Sequence, residues 1–202
     1  MNENDERAIL LLAAGSSSRM GQSKQLLLIN EKSLLTHTVE KAIEANTGNL
    51  YVVLGSQHEA HRELLKDKPV DIIFNPQWQA GIGSSIKTGL RHVLSVNPKT
   101  DAIIIMVCDQ PMLQPHHLKS LIEKYQKTQA SIVASAYSGT MGVPALFNRK
   151  HFDAILNLRD DEGAKKIIQH PCETVDFPEG YFDMDTAEDY KNFLHQHSKK
   201  MP

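Results

Sequence analysis

Apolar residues along this chain come in short runs separated by longer stretches of helical periodicity. Residues 9–12, 50–54, 70–74, 102–107 and 131–136 are runs of the length and branched-aliphatic content expected of buried strands. Between them the pattern changes. Ser33 offers an N-cap for a helix over 34–45 with Leu35, Val39, Ala42 and Ile43 on one face, and a polar helix is expected near 57–66. The segment 81–90 starts flexibly and continues as a helix to about Leu94. Pro115 suits the first turn of a helix whose Leu118, Leu121, Ile122 and Tyr125 repeat at helical spacing. Residues 26–29 read as a short extended segment. This β/α alternation predicts a three-layer α/β fold around a mostly parallel sheet, with the most apolar run, 102–107, at its centre. The C-terminal third breaks the alternation. Residues 142–147 look extended, 152–158 and 163–168 helical, 173–177 like an edge strand and 187–195 like a final helix, which suits last strands that form a lid or an acceptor site.

The chain of 202 residues carries no linker, low-complexity tract or internal repeat, so a single domain over 1–202 is expected. With 41% hydrophobic and 23% charged residues it has the balance of a globular protein, and a formal charge of −2 gives no general attraction for nucleic acid or anionic membranes. Phosphate binding, if present, must be local. No apolar run reaches the roughly 18 residues of a membrane span, and the start MNENDER is acidic where a secretion signal is basic, so a cytoplasmic location is expected. Cys108 and Cys172 form no metal-ligand pair or CxxC and read as buried free thiols. Of the ten histidines, His58 and His61 are spaced i, i+3 and His116 and His117 are adjacent, but no His-Glu-x-x-His pattern occurs. They read as solvated surface side chains rather than zinc ligands.

The chemistry begins at ILLLAAGSSSRMGQSK, residues 9–24, where a strand empties into small residues, hydroxyls and two cations. Gly15 and Gly21 let the main chain approach a ligand, and loop N–H groups backed by Arg19 and Lys24 can surround a phosphate chain. The alternative is a serine-rich surface turn with solvated cations. Five residues between the glycines exclude a Walker A loop, and Ser16 to Ser18 break a dinucleotide fingerprint. Asp109 follows the run 102–107. Ligands of open α/β sheets bind beyond the carboxyl ends of strands, so Asp109 should emerge beside the 9–24 loop, where Mg²⁺ could bridge a carboxylate and phosphates. It could equally cap the turn before Pro111. In FDMDTAEDY, residues 182–190, Asp183 and Asp185 alternate and share a face, while Thr186 and Asp189 can form an imperfect capping box. Asp185 becomes a second metal ligand only if the fold carries it to Asp109.

The stretches LAAGSSSRMGQSK, NPQWQAGIGSSIKTGL, CDQP, GVPALF, LRDDEGAKKI and DMDTAEDY, in this order over about residues 9–190, resemble the MobA-like nucleotidyltransferases, most closely the molybdenum cofactor cytidylyltransferases. The resemblance implies a Rossmann-like nucleotidyltransferase fold and transfer of CMP from CTP to the phosphate of molybdopterin, with release of pyrophosphate. It puts the triphosphate on the backbone from Ala14 to Ser18, with Leu12, Ala13, Gly15 and Ser16 in the nucleotide site. Arg19, Lys24 and Asp109 would be catalytic, and Asp109 and Asp185 would hold Mg²⁺, with Asp183 the weaker candidate. Gly81 and Ser85 match the segment that lies against ribose and base. GTP users show Gly-Gly where this chain has Ala13-Ala14, so Ala-Ala-Gly resembles the CTP users. Gly142 and Pro144 match a constrained strand near the acceptor, without assigned chemistry. Ala187 departs from the usual proline, which should affect stability before metal binding. A client molybdoenzyme is a further implied partner. The competing readings are a nucleotidyltransferase with a sugar-phosphate or isoprenoid-precursor acceptor, and a non-catalytic cofactor carrier.

Overall fold

The run at 9–12 lies within a strand, β1 (Arg7–Ala13), whose side chains alternate between two separate cores. Ile9 and Leu11 face one core and Leu10 and Leu12 the other, which is why the run is apolar at every position. A computed structural model of the chain describes residues 6–17, 20–168 and 172–197. Further strands are β2 (Leu28–Ile29), β3 (Lys32–Ser33), β4 (Asn49–Leu54), β5 (Asp71–Phe74), β6 (Ala102–Val107), β7 (Ile132–Tyr137), β8 (Thr140–Asn148) and β9 (Glu173–Asp176). The helices are α1 (Leu34–Ala45), α2 (His58–Glu63), α3 (Ile82–Val96), α4 (Pro115–Thr128), α5 (Phe152–Leu156) and α6 (Ala187–His197).

Among the described residues seven strands form one sheet in the order β5-β4-β1-β6-β8-β7-β9, and β6 is its middle strand, as its sequence predicts. Within that sheet β8 runs antiparallel to its neighbours β6 and β7, while the other pairings are parallel. One core joins Leu35 and Val39 of α1 and Leu118 and Leu121 of α4 to the sheet, and the other joins Ile86, Leu90 and Val93 of α3 and Phe152 and Ile155 of α5. This is the expected three-layer α/β fold. Ser33 caps α1 by accepting Thr36 N–H at 3.0 Å, and Pro115 opens α4. No helix among the described residues is long and apolar enough to cross a membrane.

The irregular C-terminal third has a local cause. β7 and β8 form a hairpin whose two turn residues, Ser138 and Gly139, have φ of 48° and 71°, the left-handed pair that suits strand twist. The strand expected to begin at 142 therefore begins at Thr140 and inserts β8 antiparallel. β9 is an edge strand, paired parallel to β7. The helix expected over 163–168 is a single 3-10 turn, Ala164–Lys166, in which only Ala164 is fully buried, while Ile167 and Ile168 pack partly buried against the same core.

Two histidines contradict the surface reading. His61 is 0% exposed and His117 is 3% exposed, whereas adjacent His116 points to solvent. Ser135 Oγ donates to Pro144 O at 2.5 Å, so His117 Nε2 must be the donor in its 2.7 Å contact with Ser135, and the ring stacks on Phe177. Each polar ring thus has its Nε2 paired in the interior with a serine hydroxyl that helical periodicity cannot reveal, Ser23 for His61 and Ser135 for His117. Burial, then the neighbouring His116, lowers the His117 pKa to about 4. The unfolded chain then binds a proton that the folded chain refuses. Stability present above pH 6.5 should fall by about 3 kcal/mol as pH drops to about 4, and His117→Gln should flatten this slope in urea melts across that range. An unchanged slope would exclude His117 as its source. Cys108 is a buried free thiol, pushed up to about 12 by burial and the Asp109 charge, but Cys172 is only half-buried, with Sγ donating to Met141 Sδ at 3.4 Å.

Candidate active site

β1 and β6 are parallel neighbours in register, with Leu12 opposite Val107, and Cys108 N–H donates to Leu12 O at 3.2 Å. The loops that leave both strands therefore emerge side by side at their carboxyl ends, as strand order requires. This puts Asp109 beside the 14–24 loop. The segment before α6 reaches the same place through Met184, which is 0% exposed and whose N–H donates to Asp109 O at 2.9 Å. With Met184 driven into the core, the alternating Asp183 and Asp185 lie on the other side of the strand-like segment. Thr186 and Asp189 form the expected reciprocal cap: Asp189 Oδ2 accepts Thr186 N–H at 2.7 Å, and Thr186 Oγ1 accepts Asp189 N–H at 3.1 Å. Capping and delivery of Asp185 are compatible because different residues carry them.

Lys24 joins the parts. Its Nζ donates to Asp109 Oδ2 at 2.6 Å and to Asp185 Oδ1 at 3.0 Å. Burial disfavours the ammonium, but the charges and hydrogen bonds of Asp109 and Asp185 outweigh that cost and raise its pKa. Asp183 is exposed as a residue, yet partial desolvation, then the charges of Asp109 and Asp185, push its carboxyl up to about 6. Two carboxylates converging on a single ammonium form the kind of oxygen donor pair that suits a hard divalent cation shared with phosphates.

Beside this cluster lies a cavity of about 370 Å³. Leu12, Ala13, Ala14, Gly15 and Ser16 line one side, Gly81 and Ser85 another, and Lys24 and Asp109 border it. A larger open depression of about 650 Å³ over the β7–β8 hairpin touches none of Lys24, Asp109 and Asp185. Gly81 has φ of 129°, and a Cβ there would meet Asp160 O, so glycine is required for α3 to start against the 159–162 loop. Ser85 Oγ accepts from Asn75 Nδ2 at 3.0 Å, which ties the first turn of α3 to the end of β5. Arg19 and Ser18 lie outside the described residues.

Sequence reasoning missed Asn75, Trp78 and Gln25. Trp78 lines the cavity and its side chain closes on Gly55, where a Cβ would also meet Ala14 O at 2.6 Å. The signal was present in the single tryptophan of a polar loop. Gln25 is 1% exposed and donates to Ala13 O and Gly15 O, both at 3.1 Å. Nothing in QSKQ distinguishes it from a surface glutamine.

Residues 9–175 match the family model for the MobA-like NTP transferase domain. Purine catabolism protein PucB of Bacillus subtilis is 28% identical over 196 residues, which covers 90% of this chain and 92% of PucB. Among solved structures, a Mycobacterium sp. strain JC1 homologue of Mycobacterium tuberculosis rv0371c superposes with a TM-score of 0.82 at 27% identity, covering 97% of this chain and 98% of that one. Rv0371C of Mycobacterium tuberculosis H37Rv in complex with manganese superposes with a TM-score of 0.77 at 26% identity, covering 94% of this chain and 98% of that one. The loop after β1, the aspartate after β6 and the cavity between them thus belong to a nucleotidyltransferase fold, and the chain is a member of the MobA-like NTP transferase family.

Proposed function

We propose that the protein transfers CMP from CTP to the terminal phosphate of a molybdopterin-type acceptor. The observation that carries this reading is the convergence of Lys24, Asp109 and Asp185 at the mouth of the cavity lined by Ala13 to Ser16. In the proposed reaction an acceptor phosphate oxygen forms a bond to the α-phosphorus of CTP, the bond from that phosphorus to the bridging oxygen breaks, and pyrophosphate leaves. The nucleophile is already ionised, so no general base is needed. Backbone N–H groups of the 14–18 loop orient the triphosphate, and Lys24 and Arg19 neutralise charge as the phosphorus becomes crowded. Asp109 and Asp185 would hold Mg²⁺, which when bound supplies charge neutralisation at the phosphate oxygens. The manganese complex of the Mycobacterium tuberculosis relative supports a divalent ion in this fold.

The choice of base rests on Ala14, buried at 6% exposure in the cavity wall, where its methyl group narrows the space offered to a purine. Ala14→Gly should shift the CTP:GTP preference towards GTP by about tenfold, the scale of one methyl group in a pocket. The direct test incubates the protein with Mg²⁺, molybdopterin and CTP, GTP or ATP, and follows pyrophosphate. CTP-dependent release supports the reading. Release only with a sugar-phosphate or isoprenoid-precursor acceptor assigns the enzyme to that acceptor instead. Cofactor delivery to a client molybdoenzyme without any pyrophosphate release makes the protein a carrier.

A further inference from the structure

Residues 13–17 and 23–24 are held from behind by a hydrogen-bond chain centred on Gln25. Gln25 uses its whole side-chain capacity inside the protein. Nε2 donates to Ala13 O and Gly15 O, both at 3.1 Å, and Oε1 accepts from Ser23 Oγ at 2.8 Å and from Ser17 Oγ at 3.3 Å. Because the Ser23 hydroxyl proton goes to Gln25, the 2.8 Å contact between Ser23 Oγ and His61 Nε2 must be donated by the histidine. That leaves His61 Nδ1 as a bare acceptor, buried and without a partner among the described residues. A second proton there would have no acceptor, and burial lowers the pKa of His61, so the ring is kept as a neutral donor.

Ser17 completes the frame. It sits at φ of 54°, a left-handed conformation that costs a non-glycine residue energy, and its Oγ accepts Lys24 N–H at 3.0 Å. Within a planar trans peptide the C=O and the following N–H point in opposite directions. Anchoring Gly15 O on the buried Gln25 amide therefore turns Ser16 N–H away from it, on the side where Gly15 and Ser16 are exposed. Ser23 and Gln25 also flank Lys24, whose ammonium reaches Asp109 and Asp185.

We propose that His61, Ser23 and Gln25 are positioning residues, a buried relay from α2 that presents the main-chain N–H groups of the 15–17 loop and Lys24 to the triphosphate. It rests on the nucleotidyltransferase reading of the same site. The relay anchors the loop carbonyls on either side of Ala14, so its loss weakens triphosphate binding whether or not a base is attached.

The test titrates wild type and variants calorimetrically with Mg²⁺–CTP, Mg²⁺–GTP and Mg²⁺–tripolyphosphate, without acceptor, on protein shown to be folded by circular dichroism. Gln25→Leu, which strands both loop carbonyls, should raise Kd for CTP and for tripolyphosphate at least about tenfold each. His61→Phe should raise both several-fold, and His61→Gln, which keeps a donor for Ser23, should recover most of the loss. A folded Gln25→Leu protein that binds tripolyphosphate within twofold of wild type overturns the relay, as does His61→Gln binding no better than His61→Phe. If Gln25→Leu does not fold, Ser23→Ala carries the test with the same twofold limit. Wild-type protein that binds tripolyphosphate but no nucleotide defeats the proposed function and leaves the relay standing. Protein that binds neither defeats both.

Discussion

Asp109→Asn lowers pyrophosphate release by about 10²-fold or more at saturating CTP and acceptor, because it removes a full charge from where the phosphates and their counter-ion are expected to meet. The substitution is nearly isosteric, and the amide oxygen can still accept from Lys24 Nζ, now 2.6 Å from the carboxylate. The main-chain bond from Met184 N–H to Asp109 O is untouched. The fold and the approach of the 182–185 segment should therefore survive. A melting temperature close to wild type with turnover reduced on this scale supports the assigned role, whereas turnover within threefold of wild type removes Asp109 from the machinery.

Lys24→Met has the second large effect and separates two jobs of one side chain. Turnover should fall by about 10²-fold, since a cation expected to stabilise charge in the transition state is lost. The same change takes away the ammonium that Asp109 and Asp185 share, at 2.6 and 3.0 Å. Two carboxylates left facing each other attract a divalent ion more strongly. Mg²⁺ without nucleotide should therefore raise the melting temperature of Lys24→Met more than that of wild type, by the linkage between binding and stability. An equal Mg²⁺ response in the two proteins, at reduced turnover, would show that Lys24 acts on phosphate alone and does not compete for the carboxylates.

The residues behind these predictions differ in how legible they are along the chain. Leu12, Asp109 and the loop after β1 can be placed from the amino-acid sequence because alternating apolar runs predict a mostly parallel sheet, and such a sheet brings the loops that follow its strands to one edge. Asp185 cannot. Its segment reads as a helix cap, and that reading is also true, since Thr186 and Asp189 close the cap as written. What sends Asp185 to Lys24 is Met184, buried at 0% exposure behind it, together with a main-chain bond to Asp109. The β7–β8 hairpin escapes the sequence for a different reason. Ser138-Gly139 is a weak turn signal, and its left-handed geometry is set by the twist of strands that pair only in the folded sheet.

The surface assignment of the histidines failed most informatively. His61 and His117 carry polar rings into the interior, where each finds a serine hydroxyl, Ser23 at 2.8 Å and Ser135 at 2.7 Å. Burial of a polar group is tolerable only when a partner is present, and both partners lie far away in the chain. The same holds for Gln25, whose amide spans two carbonyls of a loop ten and more residues earlier.

By itself the chain therefore determined the layers, the central strand and the loop after β1, because hydrophobic periodicity and glycine placement are local properties that need no partner. Only the tertiary structure decided that Lys24 lies between Asp109 and Asp185, that Trp78 lines the cavity, and that Gln25 rather than a surface residue braces the loop. Those arrangements are contacts between residues far apart in sequence. Their free energy comes from burial and hydrogen bonding that exist only once the sheet has brought the strand ends together.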